Sequence, residues 1–166
     1  LKIDDLSPGQ EISFTGKLIV MRDAAQMRLK KLYEEGEPFP VELEGAIVFY
    51  AGPAKLVEES CGAIGPTTSL RMDGFLEMLF EKGVLATIGK GKRSDLAANL
   101  CKKFRRVYLI APSGAAASLA QRIESMRVIA YEDLGTEAIF EIDVRDFPLI
   151  VATDVNGSDF FTLNRR

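Results

Sequence analysis

Three cations stand where a strand or turn gives way to a helix: Arg22 ahead of "DAAQMRL", Arg71 after "GPTTS", and Lys90 within "GKG" ahead of "SDLAANL". A helix N-terminus already attracts anions through its free N–H groups and its dipole, so a cation beside each of three such ends would make a local anion-seeking pocket. Arg71 is the most telling of the three. In the first turn of a helix it opposes the dipole, and something other than the helix must account for it, a bound anion being one candidate. Each cation also has an ordinary reading, a surface ion pair, which for Arg22 would be with Asp23 or a glutamate.

Phosphate fingerprints fail at these positions. "GVLATIGKGK" has five residues between Gly83 and Gly89 and no Ser or Thr after Lys90, so it is not a P-loop, and "GKGKRS" has Ser94 where a dinucleotide turn needs its last glycine. Small carboxylates fit better, because two guanidinium forks and one ammonium suit a dicarboxylate. Thr67 and Thr68, just before Arg71, could cap the helix or could take part in chemistry. Asp73 lies in the same turn, where it suits the dipole and reads as structural or as a supporting partner.

The elements that must position these residues follow from periodicity. "EISFTGKLIVM" reads as a strand entering a core, then "DAAQMRLKKLYEEG" as an amphipathic helix with Asp23 as N-cap, Ala25, Leu29, Leu32 and Tyr33 on its apolar stripe, and Gly36 as its stop. "AIVFYAGP" is a buried strand. In "GPTTSLRMDGFLEMLFEKG", Met72, Phe75, Leu76, Leu79 and Phe80 recur at helical spacing. "VLATIGKG" and "RVYLIA" are strands around a helix over about 94–104, "PSGAAASLAQRI" is a small-residue loop and helix, and "MRVIAYED", "AIFEIDVRD" and "LIVATDV" are three further strands. Strand and helix alternate through the first two thirds and strands dominate the rest, so mixed α/β layers are expected and not a pure doubly wound sheet.

The bulk numbers narrow the chemistry. A chain of 166 residues, 47% hydrophobic and 27% charged, suits a single domain spanning 1–166 with a real core. The net charge of −3 argues against a general nucleic-acid or membrane-surface binder. There is no histidine, so the commonest acid–base side chain is absent. Cys61 and Cys101 lack metal-ligand spacing, and the expectation is two reduced, partly buried thiols in a cytoplasmic protein. No apolar run reaches the roughly 20 residues of a membrane span. The start at Leu1 implies a processed or trimmed terminus, with no secretion-signal pattern near it.

"RDAAQMRL", "YAGP", "GPTTSLRMD", "IGKG", "YEDLGTEAIFEIDV" and "FPLIVATDVNG", in that order, resemble the β subunit, or C-terminal domain, of class I iron–sulfur fumarases and L-tartrate dehydratases. The resemblance covers nearly the whole chain. It implies a swivelling β/β/α three-layer domain with a mixed sheet, working beside an α subunit whose three cysteines hold a [4Fe–4S] cluster. The assembly it implies is a heteromer, with the chain homodimerising within a heterotetramer. Carried over by position, Arg22, Arg71 and Lys90 match residues that bind the substrate carboxylates. Thr67 matches the proposed catalytic base, with Thr68 as its substitute or as a further substrate contact. The implied reaction is reversible hydration of fumarate to malate, with tartrate dehydration the neighbouring alternative and a non-catalytic carboxylate-binding scaffold the rival. One departure stands out: the family usually follows "RDAA" with histidine, and this chain has Gln26, which hydrogen-bonds but does not titrate. The loops 62–66 and 112–118 are expected to contact substrate or partner.

Overall fold

A computed structural model describes residues 1–53, 64–111 and 119–163. Its strands are β1 (Glu11–Met21), β2 (Ile47–Pro53), β3 (Ile64–Pro66), β4 (Ala86–Gly89), β5 (Val107–Ile110), β6 (Ile123–Ala130) and β7 (Ile139–Thr153), and its main helices are α1 (Asp23–Glu34), α2 (Leu76–Glu81) and α3 (Asp95–Phe104). The sheet is mixed, as the α/β reading requires. β1, β2, β4 and β5 are parallel neighbours, while β7 runs antiparallel to both β1 and β5. Because β7 pairs with both ends of that parallel row, the five strands close into a ring, and β6 hangs from the outside of β7.

The parallel strands are buried on both faces, which explains their continuous apolar sequence. Leu18 and Val20 of β1, Phe49 of β2, Ile88 of β4 and Leu109 of β5 face a core shared with Phe140, Ile142 and Val151 of β7. The intervening residues Ile19, Met21, Val48 and Tyr108 face the helices, where Ala25, Leu29, Leu76, Leu79 and Leu100 meet them. Helices, parallel strands and the β7–β6 pair thus form three layers around two cores. Each fully buried Leu, Ile, Val or Phe contributes about 1.5–3 kcal/mol against exposure.

Several local readings change. Asp23 is not the N-cap of α1; Arg22 occupies that position in extended conformation, and Asp23 is the first helical residue. The run after "GPTTS" is not one α-helix: a 3₁₀ segment, Leu70–Phe75, precedes α2. "AIFEIDVRD" and "LIVATDV" belong to one strand, β7, which bends at Asp146 (φ 49°) and continues through Pro148 opposite Ser13. The strand in "MRVIAYED" stops at Ala130, where Tyr131 turns left-handed. Other readings stand: β1 has the bounds read from "EISFTGKLIVM", and α1 ends ahead of Gly36 (φ 70°). The loop 112–118 and residues 62–63 lie outside the described residues, as does Cys61, while the rest of 62–66 is strand β3, paired antiparallel with β2.

Candidate functional site

Arg22, Thr67, Thr68 and Lys90 come to the C-terminal edge of the parallel strands, the edge where open α/β sheets bind their ligands. Backbone pairing does this. The Thr67 N–H donates to the Tyr50 carbonyl of β2 at 2.7 Å, the Lys90 N–H donates to the Thr67 carbonyl at 3.2 Å, and the Ser69 N–H donates to the Lys90 carbonyl at 3.0 Å. Thr68 and Lys90 therefore lie side by side as an isolated parallel bridge continuing β4. Arg22 follows Met21, which is paired with Tyr50, and its side chain crosses Gly52, where a Cβ would stand 2.7 Å from the Arg22 Cδ. A side chain at position 52 would displace that arginine.

Arg71 is held by the chain itself. Its Nε donates to Asp23 Oδ2 at 2.9 Å and its Nη2 to Asp23 Oδ1 at 3.0 Å, so the carboxylate that accounts for a cation in this turn is Asp23, next to Arg22. The helix-dipole objection also weakens, because the turn is a short 3₁₀ segment with little macrodipole.

Three buried polar atoms at this edge have no hydrogen-bond partner among the described residues: Arg22 Nε, Gln26 Oε1 and Thr67 Oγ1. Gln26 is fully buried and its amide nitrogen contacts the Arg22 carbonyl at 3.3 Å and the Met72 sulfur at 3.2 Å. Leaving a buried donor or acceptor unmade costs about 1–3 kcal/mol, and such groups concentrate where a ligand completes them. Lys90, Arg71 and Thr68 are exposed at the same edge. Arg22, Arg71, Lys90 and Thr68 thus put two guanidinium groups, an ammonium and a hydroxyl on one edge of the sheet.

Beneath this layer lies an ion pair that charge patterning does not reveal. Arg93 is 5% exposed, and its Nε donates to Asp73 Oδ1, its Nη1 to Thr87 Oγ1 at 2.9 Å and its Nη2 to Tyr50 Oη at 3.2 Å. The guanidinium carbon sits 5.1 Å from both the Tyr50 and Tyr108 ring centroids. Burial works against its charge, but Tyr50 and Asp73 outweigh that and hold the guanidinium pKa above its ordinary value. Burial also raises both tyrosines, keeping their hydroxyls protonated. Asp73, read as structural or supporting, accepts from the Ser94 backbone at 2.8 Å and from its hydroxyl at 2.6 Å through its other oxygen. Removing one partner of such a buried pair costs about 3–5 kcal/mol. The signal the sequence offers is Tyr50, Thr87 and Tyr108, three polar side chains on the helix-facing side of adjacent strands.

The donor set does not fit an iron–sulfur cluster carried by this chain alone. It has two cysteines and no histidine, and burial pushes the Cys101 thiol up to about 12, far from the thiolate a metal requires. No helix among the described residues is long and apolar enough to cross a membrane.

A sequence model of the family described as Fumarase C-terminus matches residues 1–164. The aerobic class I fumarate hydratase of Escherichia coli strain K12 is 40% identical over 153 residues, covering 90% of this chain and 28% of that enzyme. Fumarate hydratase 2 of Leishmania major is 38% identical over 158 residues, covering 93% and 28%. The L(+)-tartrate dehydratase subunit beta of Escherichia coli strain K12 is 33% identical, covering 99% of this chain and 83% of that subunit. The chain thus spans little more than a quarter of the fumarate hydratases it matches and most of the tartrate dehydratase subunit.

Proposed function

The chain belongs to the fumarase C-terminus family, and on that premise we propose that it is the β subunit of a hydro-lyase that reversibly hydrates fumarate to malate. Elimination of water from a 2-hydroxydicarboxylate needs a base for the C–H proton, cations for the charge that builds on the carboxylates, and help for the departing hydroxide. This chain supplies the first two in the proposal. Arg22, Arg71 and Lys90 hold the carboxylates, with Thr68 as a further contact, and Thr67 Oγ1 takes the proton. A threonine hydroxyl is a weak base in water, but neighbouring cations favour its alkoxide. The [4Fe–4S] cluster belongs, on this reading, to a partner α subunit in a cytoplasmic heteromer.

One observation carries the proposal: the Thr67 hydroxyl and Arg22 Nε, neither with a partner among the described residues, flank the end of β2 at Tyr50, where Lys90 is paired to Thr67. The test is reconstitution. The chain alone should not turn over fumarate, and mixing it with a cluster-loaded α subunit should produce hydratase activity that Arg22→Ala abolishes; continued inactivity with a loaded partner would overturn the assignment. Tartrate belongs in the same assay, because the relative whose length this chain nearly spans is a tartrate dehydratase subunit. Dehydration of tartrate with fumarate left untouched would move the assignment to that substrate. Binding of dicarboxylate without turnover of either would favour the scaffold reading.

A further inference from the structure

Arg93 lies three residues beyond Lys90, and its counterion Asp73 lies two beyond Arg71. The buried pair therefore ties the turn that carries Arg71 to the loop that carries Lys90. The same guanidinium lies over the rings of both Tyr50 and Tyr108, and each tyrosine holds part of the site. The Tyr50 carbonyl receives the Thr67 N–H. Tyr108 Oη lies 2.8 Å from Ser69 Oγ and donates to the Gly91 carbonyl at 2.7 Å, so one hydroxyl joins both sides of the Thr67–Lys90 pairing.

We propose that Arg93 is a positioning residue: from below the sheet edge it fixes the separation of the 67–69 segment, the Lys90 loop and the turn bearing Arg71, without touching substrate itself. Its guanidinium spends three N–H groups on Asp73, Thr87 and Tyr50, which sit on three different elements. A planar fork with three directed N–H bonds fixes directions as well as distances, which a lysine could not do. The site's cations stand on long side chains, so the backbone beneath them must be rigid for their charges to converge on one small ligand.

Only the kinetic half of the test rests on the hydro-lyase reading. Amide hydrogen exchange on the chain itself reports the two cross-links directly, at the Ser69 and Lys90 N–H groups, with Phe49 in the neighbouring β2 ladder as reference. In Arg93→Gln the general loss of stability speeds exchange everywhere, Phe49 included, but exchange at Ser69 and Lys90 should accelerate by about tenfold or more beyond Phe49, because these two groups also lose their local support. Should that variant fail to fold, Tyr108→Phe cuts the link to Ser69 and Gly91 while sparing the ion pair, and the same local acceleration is expected. With a cluster-loaded α subunit, both variants should raise KM for the dicarboxylate on the order of tenfold. Exchange at Ser69 and Lys90 that simply tracks Phe49, or an unchanged KM, would overturn the role. A parent chain with no turnover would sink the hydro-lyase reading instead, and the exchange comparison would then decide the positioning role by itself.

Discussion

Asp23 grips Arg71 side-on, through Nε at 2.9 Å and Nη2 at 3.0 Å, and among the described residues the Nη1 and outer Nη2 protons of the same guanidinium are unspent. Those are the pair that a second carboxylate would meet end-on. On the proposed reading, Asp23 thereby aims Arg71 and does not simply occupy it. Asp23→Asn is expected to raise KM for the dicarboxylate about tenfold, equivalent to about 1.4 kcal/mol. Because the pair is well exposed, stability should change by less than about 1 kcal/mol. Steady-state kinetics and urea unfolding on the same preparation check both halves; a lower KM would mean that Asp23 competes with substrate.

Thr67→Val tests whether the hydroxyl is there for chemistry. Valine keeps the shape and removes a buried oxygen that has no partner among the described residues, so stability should hold or rise by about 1 kcal/mol. Turnover should fall about 10²–10⁴-fold, the usual contribution of a positioned base. Full activity in the variant would remove Thr67 from the reaction.

Gly89 permits the close approach that seats the 67–69 segment. A Cβ there would stand 1.8 Å from the Ser69 Oγ, inside a fully buried strand end. Gly89→Ala should cost about 1–3 kcal/mol through overpacking and lower the melting temperature by about 2–4 °C for each kcal/mol. Gly74→Ala, whose Cβ meets nothing within 4 Å, should show no such loss.

How far the sequence discloses this architecture depends on the range of the forces involved. β1 is readable to its ends because a 2-residue alternation passing into a continuous apolar run is a local signal. The continuity of β7 is not, since Asp146 and Pro148 look like breakers and only pairing with β1, more than a hundred residues away, carries the strand through them. At the site, the placement of Arg22, Thr67 and Lys90 at strand ends is written in the order of elements. Asp23 as the partner of Arg71 is not legible, because 48 residues separate them. Arg93 escapes for a different reason: charged residues are almost always solvated, and only the meeting of Tyr50, Thr87 and Tyr108 on one face makes a buried guanidinium tolerable.

Acid sensitivity should appear at the outer face of β7. Hydrogen bonds from Ser125 first, then Arg127 and Lys17, hold the Asp143 carboxyl at about 2 against an ordinary 3.8. A carboxyl depressed in the folded state binds fewer protons there than when unfolded, so its stabilisation is complete above about pH 4 and disappears as the pH falls towards 2. Asp143→Asn should therefore unfold at lower urea than the parent at pH 7, with the difference closing across that window. A gap independent of pH would point to shape and not charge.

Cys101 is 1% exposed and its thiol is raised to about 12, chiefly by burial. In a Cys61→Ser background, a thiol reagent at pH 8 should leave the folded chain unlabelled and label it once denaturant is added. Rapid labelling of the folded form would show that the packing around α3 opens readily.

A hoop of strands cannot fan apart as an open sheet can. With β7 stitched to β1 on one flank and to β5 on the other, the described strands that bear Arg22, Thr67 and Lys90 leave no seam along which to widen. On the proposed reading, a dicarboxylate is then admitted by movement of this body as a whole against whatever covers it, with its charges keeping their spacing.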